Sequence, residues 1–220
     1  MATQDRTVVR GRRGTPSIDR LPPNETGLEQ QPTLFNSGMW AIIMFVGSEI
    51  MFFAALFTTY FYLRGRIPEW VPIFGEKPTW HGELLGLSLV VYNTIALLSS
   101  SVTMQIAVNA IKKGDRARMI RWLIPTIVLG AAFLIGQGYE YTKLGFIPRD
   151  GVFAAVFFTL TGFHGAHVTG GVLFNSLCLY RGLRGQFSGS RHIAVEAASI
   201  YWHFVDVVWI GLFTTIYVIG

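Results

Sequence analysis

Residues 196–217 read EAASIYWHFVDVVWIGLFTTIY, an apolar run with His203 and Asp206 at its centre. A helix needs about 20 such residues to cross a hydrocarbon core. A charged group at the middle of that helix costs about 3 kcal/mol on insertion scales. The run therefore predicts a membrane helix whose polar face is turned towards protein rather than lipid. Periodicity agrees, because Glu196, Ser199, His203, Asp206 and Ile210 follow one another at steps of three and four and share one helical stripe.

The rest of the chain extends this reading. Of 220 residues, 51% are hydrophobic and 14% charged, and the mean hydropathy is positive, far from the usual globular balance. Five apolar runs, near residues 38–63, 84–111, 122–139, 152–180 and 194–219, are long enough to span a bilayer. The intervals RGRIPEWVPIFGEKP, KKGDRAR, GFIPRDG and RGLRGQFSGSR are polar and carry turn formers. Strands of a membrane barrel would alternate in hydropathy over segments of about 10 residues, and this sequence does not. The expected fold is an all-α bundle of five transmembrane helices over residues 38–220.

Residues 1–37 lack an apolar core of the signal-peptide kind and are rich in Pro, Gln, Thr and Arg. They predict a polar, basic, mobile cytoplasmic arm. The single cysteine, Cys178, excludes an intrachain disulfide and a thiolate metal cluster. Of the 18 basic residues, 13 fall in the tail and in the second and fourth loops, and five in the other two loops. The positive-inside rule then places the N-terminus in the cytoplasm and the C-terminus outside. The net charge of +5 is accounted for by orientation and contact with anionic lipid, with no nucleic-acid partner implied.

Ionisable residues inside the apolar runs carry the remaining information. Glu49 lies near the midplane of the first run, within FVGSEIMFF, and His164 and His167 are central in the fourth, within TGFHGAHVTGG. Glu140, in GQGYEYTKL, reads as an interfacial carboxylate, and Glu196 stands nearer the start of the fifth run. Two central carboxylates together cost about 6 kcal/mol, comparable with the net stability of a domain. They must face protein or be protonated. Gly162, Ala166 and Gly170 form a ridge of small residues at every fourth position, which suits close approach of another helix. Helices four and five, with the first, are therefore expected to share one polar seam in which carboxylates and imidazoles pair.

Two kinds of chemistry compete for these groups. His164 and His167, three residues apart, project to the same side and suit a metal or haem site, but no third ligand set has metal-like spacing. A hydrogen-bonded pair that fixes helix packing is the better account. Glu49 fits a proton relay and a structural hydrogen bond equally well. Asp206 with His203 reads more readily as a structural pair than as a relay. LLSSSVTMQ in the second run reads as helix-to-helix glue, with Asn93 able to add a cross-helix bond.

The segment DGVFAAVFFTLTGFHGAHVTGGVLF, followed after a basic loop by EAASIYWHFVDVVWIGLFTTIY, resembles subunit III of the haem-copper terminal oxidases. GMWAIIMFVGSEIMFF, LLSSSVTMQIAVNAIKKGD and QGYEY resemble the same subunit in the same order, so the resemblance covers about residues 36–220. It implies the five-helix bacterial type of cytochrome c oxidase subunit III, a non-catalytic chain packed on catalytic subunit I and other oxidase subunits. Such a chain binds no metal itself; haem and copper belong to the partner, and structural phospholipid is expected. It stabilises the catalytic subunit and supports lipid binding, oxygen access and proton uptake in the bacterial cytoplasmic membrane. Glu49, Glu140, His164, His167, Glu196, His203 and Asp206 match motif positions of the family as markers of the subunit, none as a redox ligand. The longest members carry two further helices where this chain has its polar arm. Subunit III of a quinol oxidase, the related accessory protein of nitric oxide reductase systems, and a small proton-coupled transporter using Glu49 and Asp206 are the alternatives.

Overall fold

A computed structural model describes residues 37–67, 70 and 84–219, with side chains of the second helix described from residue 89 onward. The expected arm lies, but for Ser37, outside the described residues. Five helices follow: α1 (Ser37–Arg66), α2 (Leu84–Lys112), α3 (Arg116–Lys143), α4 (Val152–Leu183) and α5 (Ile193–Phe213), the last continued by a π-helical turn at Thr214–Val218. All five are long and apolar enough to cross a membrane. The chain is an all-helical membrane protein, as its composition demands.

The first four helices overrun their apolar runs because a hydrogen-bonded backbone need not stop where the side chains become polar. At α3 the start moves back six residues from the expected Trp122. Asp115 accepts the Arg118 backbone N–H at 2.8 Å and so satisfies one of the donors left over in the first turn. Gly114, at φ 79°, makes the sharp turn from α2 into α3. At the far end of α3, Asp150 accepts the Ile147 N–H at 2.7 Å and closes the short loop to α4.

Packing runs α2 on α3, α3 on α4, α4 on α5 and α5 back on α2, while α1 lies against α5 and α4. Neighbours in the ring are antiparallel. One end of the ring therefore carries the α2–α3 and α4–α5 turns, and the other carries the α3–α4 loop and the π-helical turn. α5 is the axis, touching α1, α2 and α4, with Trp202, Val205, Trp209 and Leu212 fully buried. α1 is the opposite case: Phe53 and Tyr60 are its buried residues, and Met44 and Met51 are about 70% exposed. In lipid an exposed methionine costs nothing, because acyl chains are as apolar as the side chain. What holds α1 is then close packing and polar ties. Tyr60 donates to the Thr215 carbonyl at 3.4 Å, and Arg64 donates to the Ile219 carbonyl at 3.0 Å.

Candidate functional site

Two of the expected polar groups meet between α1 and α4. Glu49 Oε2 lies 2.9 Å from His167 Nε2. The other ring nitrogen, Nδ1, is 2.7 Å from the Phe163 carbonyl, which can only accept. Nδ1 therefore carries a hydrogen, and one further proton is shared between Nε2 and the carboxyl group. The pair is neutral overall in either form, which is how apolar surroundings tolerate it. Phe53 meets the imidazole edge to face at 5.0 Å and Phe204 at 6.4 Å, screening it from competing hydrogen bonds.

A second constellation joins α5 to α2. Ser101 donates its hydroxyl hydrogen to Asp206 Oδ2 and lies 2.6 Å from His203 Nδ1. A hydroxyl has one hydrogen, so with that hydrogen on Asp206 the imidazole must donate to Ser101. His203 Nε2 faces Gln105 Oε1 at 3.3 Å, and Gln105 in turn donates to Asn109 at 3.2 Å. On either side of the His203–Asp206 pair on α5, Trp202 donates its indole N–H to Ser100 Oγ at 2.9 Å, and Trp209 donates to Thr94 at 2.9 Å. Thr103 and Thr126, 2.7 Å apart, tie α2 to α3.

These two sets replace the single seam expected over helices one, four and five. His203 and Asp206 pair with Ser101 of α2, and not with His164, His167 or Glu196. Helix geometry gives the reason. Side chains three residues apart differ in direction by about 60°, enough for His167 to turn to α1 while His164 enters the core. There His164 stacks on Trp209 at 5.0 Å and meets Phe133 edge to face at 5.7 Å. Glu196 stands apart near the α4–α5 turn, accepting Lys112 at 2.7 Å, with His192 at 3.6 Å. Ile210, the last member of the expected stripe, is exposed.

Glu140, read from its position as interfacial, is buried within the bundle near the end of α3. It is 7% exposed, and Oε1 accepts the Tyr217 hydroxyl at 2.6 Å. The π-helical turn adds a residue to the local repeat and changes the direction in which Tyr217 leaves α5. Beside it Tyr141 and Thr161 share a 2.7 Å hydrogen bond between α3 and α4. The small-residue ridge also falls elsewhere than expected. Gly162 and Ala166 are exposed, and Gly170 has Tyr201 Oη as its neighbour. Close approach occurs instead at Gly171 and Gly130, where an added Cβ would stand 2.6 Å from the Trp202 ring.

Sequence reasoning missed Ser101 as the hub and Tyr217 as the partner of Glu140. The signal for Ser101 was present in LLSSSVTMQ; none was available for Tyr217, whose direction depends on the π-helical turn. Among the described residues no three His, Cys, Asp or Glu side chains converge as metal ligands.

The fold and these ties define a multi-pass helical membrane protein whose central ionisable groups join helix to helix. The family model described as cytochrome c oxidase subunit III matches residues 27–220. Cytochrome c oxidase subunit 3 of Corynebacterium diphtheriae is 41% identical over 91% of this chain and 96% of its own length. That of Thermostichus vulcanus is 41% identical over 81% of this chain and 85% of its own, and that of Synechocystis is 41% identical over 82% and 75%. The chain belongs to the cytochrome c oxidase subunit III family, and is a subunit III of a haem-copper oxidase.

Proposed function

We propose that the chain is a non-catalytic subunit that packs on catalytic subunit I, with cytochrome c as the complex's electron donor. The donor follows the names of its relatives, and the assembly follows the family. The observation that carries the non-catalytic role is the use made of the polar groups: His167 is bonded to Glu49 and the Phe163 carbonyl, and His203 to Ser101. Both imidazoles fasten neighbouring helices. The subunit is a rigid membrane wall that stabilises subunit I, seats phospholipid, and supports oxygen access and proton uptake. Haem and copper are the partner's.

The same reading places the chain in the bacterial cytoplasmic membrane with its N-terminus inside. The excess of Lys and Arg in the tail and in the second and fourth loops supports that orientation.

Mild-detergent purification of the tagged chain tests the proposal. A large oxidase subunit in stoichiometric amount, with haem absorption and copper, is the expected result, and the purified complex should oxidise reduced cytochrome c. Stripping this subunit should leave haem and copper with the remainder, whose activity then fades during turnover. Haem that stays with the isolated chain would overturn the non-catalytic assignment. Oxidation of a quinol but not of cytochrome c would overturn the donor.

A further inference from the structure

The α3–α4 end of the ring holds buried side-chain polar atoms with no hydrogen-bond partner in the protein. They are Asn93 Nδ2 on α2, both amide atoms of Gln137 and Oε2 of Glu140 on α3, and both ring nitrogens of His164 on α4, six atoms in all. None is at the surface: His164 is 1% exposed, Asn93 3% and Gln137 5%. Each such atom costs about 1–3 kcal/mol if it loses water and gains nothing. Six of them would cancel much of the stability of an ordinary domain.

Their placement is ordered. His164 stands on Phe133 and Trp209. Gln137 follows Phe133 by one turn of α3, and Glu140 follows Gln137 by nearly another, so the groups rise from His164 towards the Glu140–Tyr217 hydrogen bond. Asn93 lies at the same level, its amide packed on Gly136, the residue before Gln137. Donors and acceptors are mixed. The two amide nitrogens only donate, Gln137 Oε1 only accepts, and a neutral imidazole offers one of each. A cation would meet the amide hydrogens and an anion would meet the carbonyl and carboxyl oxygens. A ligand that gives and takes in equal number suits the set, and water does so with about three bonds per buried molecule.

We infer that the core between α2, α3, α4 and α5 is a binding site for about two ordered water molecules, bridging His164, Asn93, Gln137 and Glu140. Trp202 is the comparison within the same bundle, with the unpaired Asn175 amide one turn beyond Gly171 on α4 and Asp206 Oδ1 one turn further along α5. Its ring fills the space over Gly130 and Gly171, and its N–H is bonded to Ser100. Both indoles are fully buried, so bulk solvent reaches neither.

X-ray radiolytic labelling of the intact oxidase complex in oxygen-18 water tests the inference. Hydroxyl radicals born from trapped water modify the side chains beside them. Labelling of Trp209 above that of Trp202 is the expected result, and His164→Phe should abolish the difference while the ring stacking persists. Absence of label at both indoles in the wild-type complex would overturn the site, as would equal label at both, which would mean general solvent penetration. Undiminished Trp209 labelling in His164→Phe would remove His164 from it.

Discussion

Trp202 and Trp209 lie seven residues apart on the same face of α5, both fully buried, yet they stand in different surroundings. Around Trp202 the neighbours are glycines and a serine, and the indole fills the gap between α3 and α4. Around Trp209 the neighbours are the Phe133 ring and an imidazole whose nitrogens bond no protein atom, and one turn beyond Phe133 on α3 is a glutamine amide in the same state. The first level fits an indole against two glycines; the second stacks an indole on other rings beside polar atoms that bond no protein group. In a membrane, where apolar burial supplies no driving force between helices, shape and hydrogen bonds are what remains. Each indole also donates one bond to α2, Trp202 to Ser100 and Trp209 to Thr94.

The largest change should come from the level of Trp202. Trp202→Ala removes the side chain that spans three helices and should cost about 3–5 kcal/mol. Thermal release of this subunit from the detergent-solubilised complex would report it. A loss no greater than that of an exposed aromatic such as Tyr92 would mean the indole is not the keystone of its level.

Asp206 lies between the two tryptophans, and Asp206→Leu should cost about 2 kcal/mol because Ser101 loses its acceptor. Retention in the complex should fall with it. Ser101→Ala combined with Asp206→Leu should cost less than the two single changes added together. Unchanged retention with proton pumping lost would sink the structural role of Asp206 and favour a relay.

Gly171→Val forces a branched side chain against the Trp202 ring and should cost about 1–3 kcal/mol. The same change at Gly170, one residue along, should cost less, since an added Cβ there meets only the Tyr201 hydroxyl, at 3.2 Å. Comparison of the two release temperatures separates a filled interface from a merely small residue. Equal shifts would show that helix flexibility, not the ring, sets the cost.

His164→Phe should have the smallest effect, within about 1 kcal/mol, because it keeps the ring contacts and breaks no bond to protein. A loss as large as that of Trp202→Ala would erase the distinction between the two levels.

Much of the bundle was legible in the sequence. Apolar runs longer than a bilayer, divided by Gly, Pro and charge, left few arrangements other than five helices, since lipid offers the backbone no hydrogen bonds. The central groups were legible too, because Glu49, His203 and Asp206 stand out against an apolar background. Their partners were not. A stripe at steps of three and four identifies a face of a helix, but not the helix it meets.

His167 pairs with α1 and His203 with α2, a choice made by how α5 is ringed by its neighbours. Glu140 became a core residue only when the π-helical turn brought Tyr217 to it. The small residues make the same point: Gly162 and Gly171 are alike in sequence, and only the Trp202 ring distinguishes them. Sequence alone thus determined the number of crossings and which side chains must be shielded from lipid, because transfer energies depend on composition and length. Tertiary structure decided which groups shield one another, because that depends on rotation and offset between helices, and no single helix encodes either.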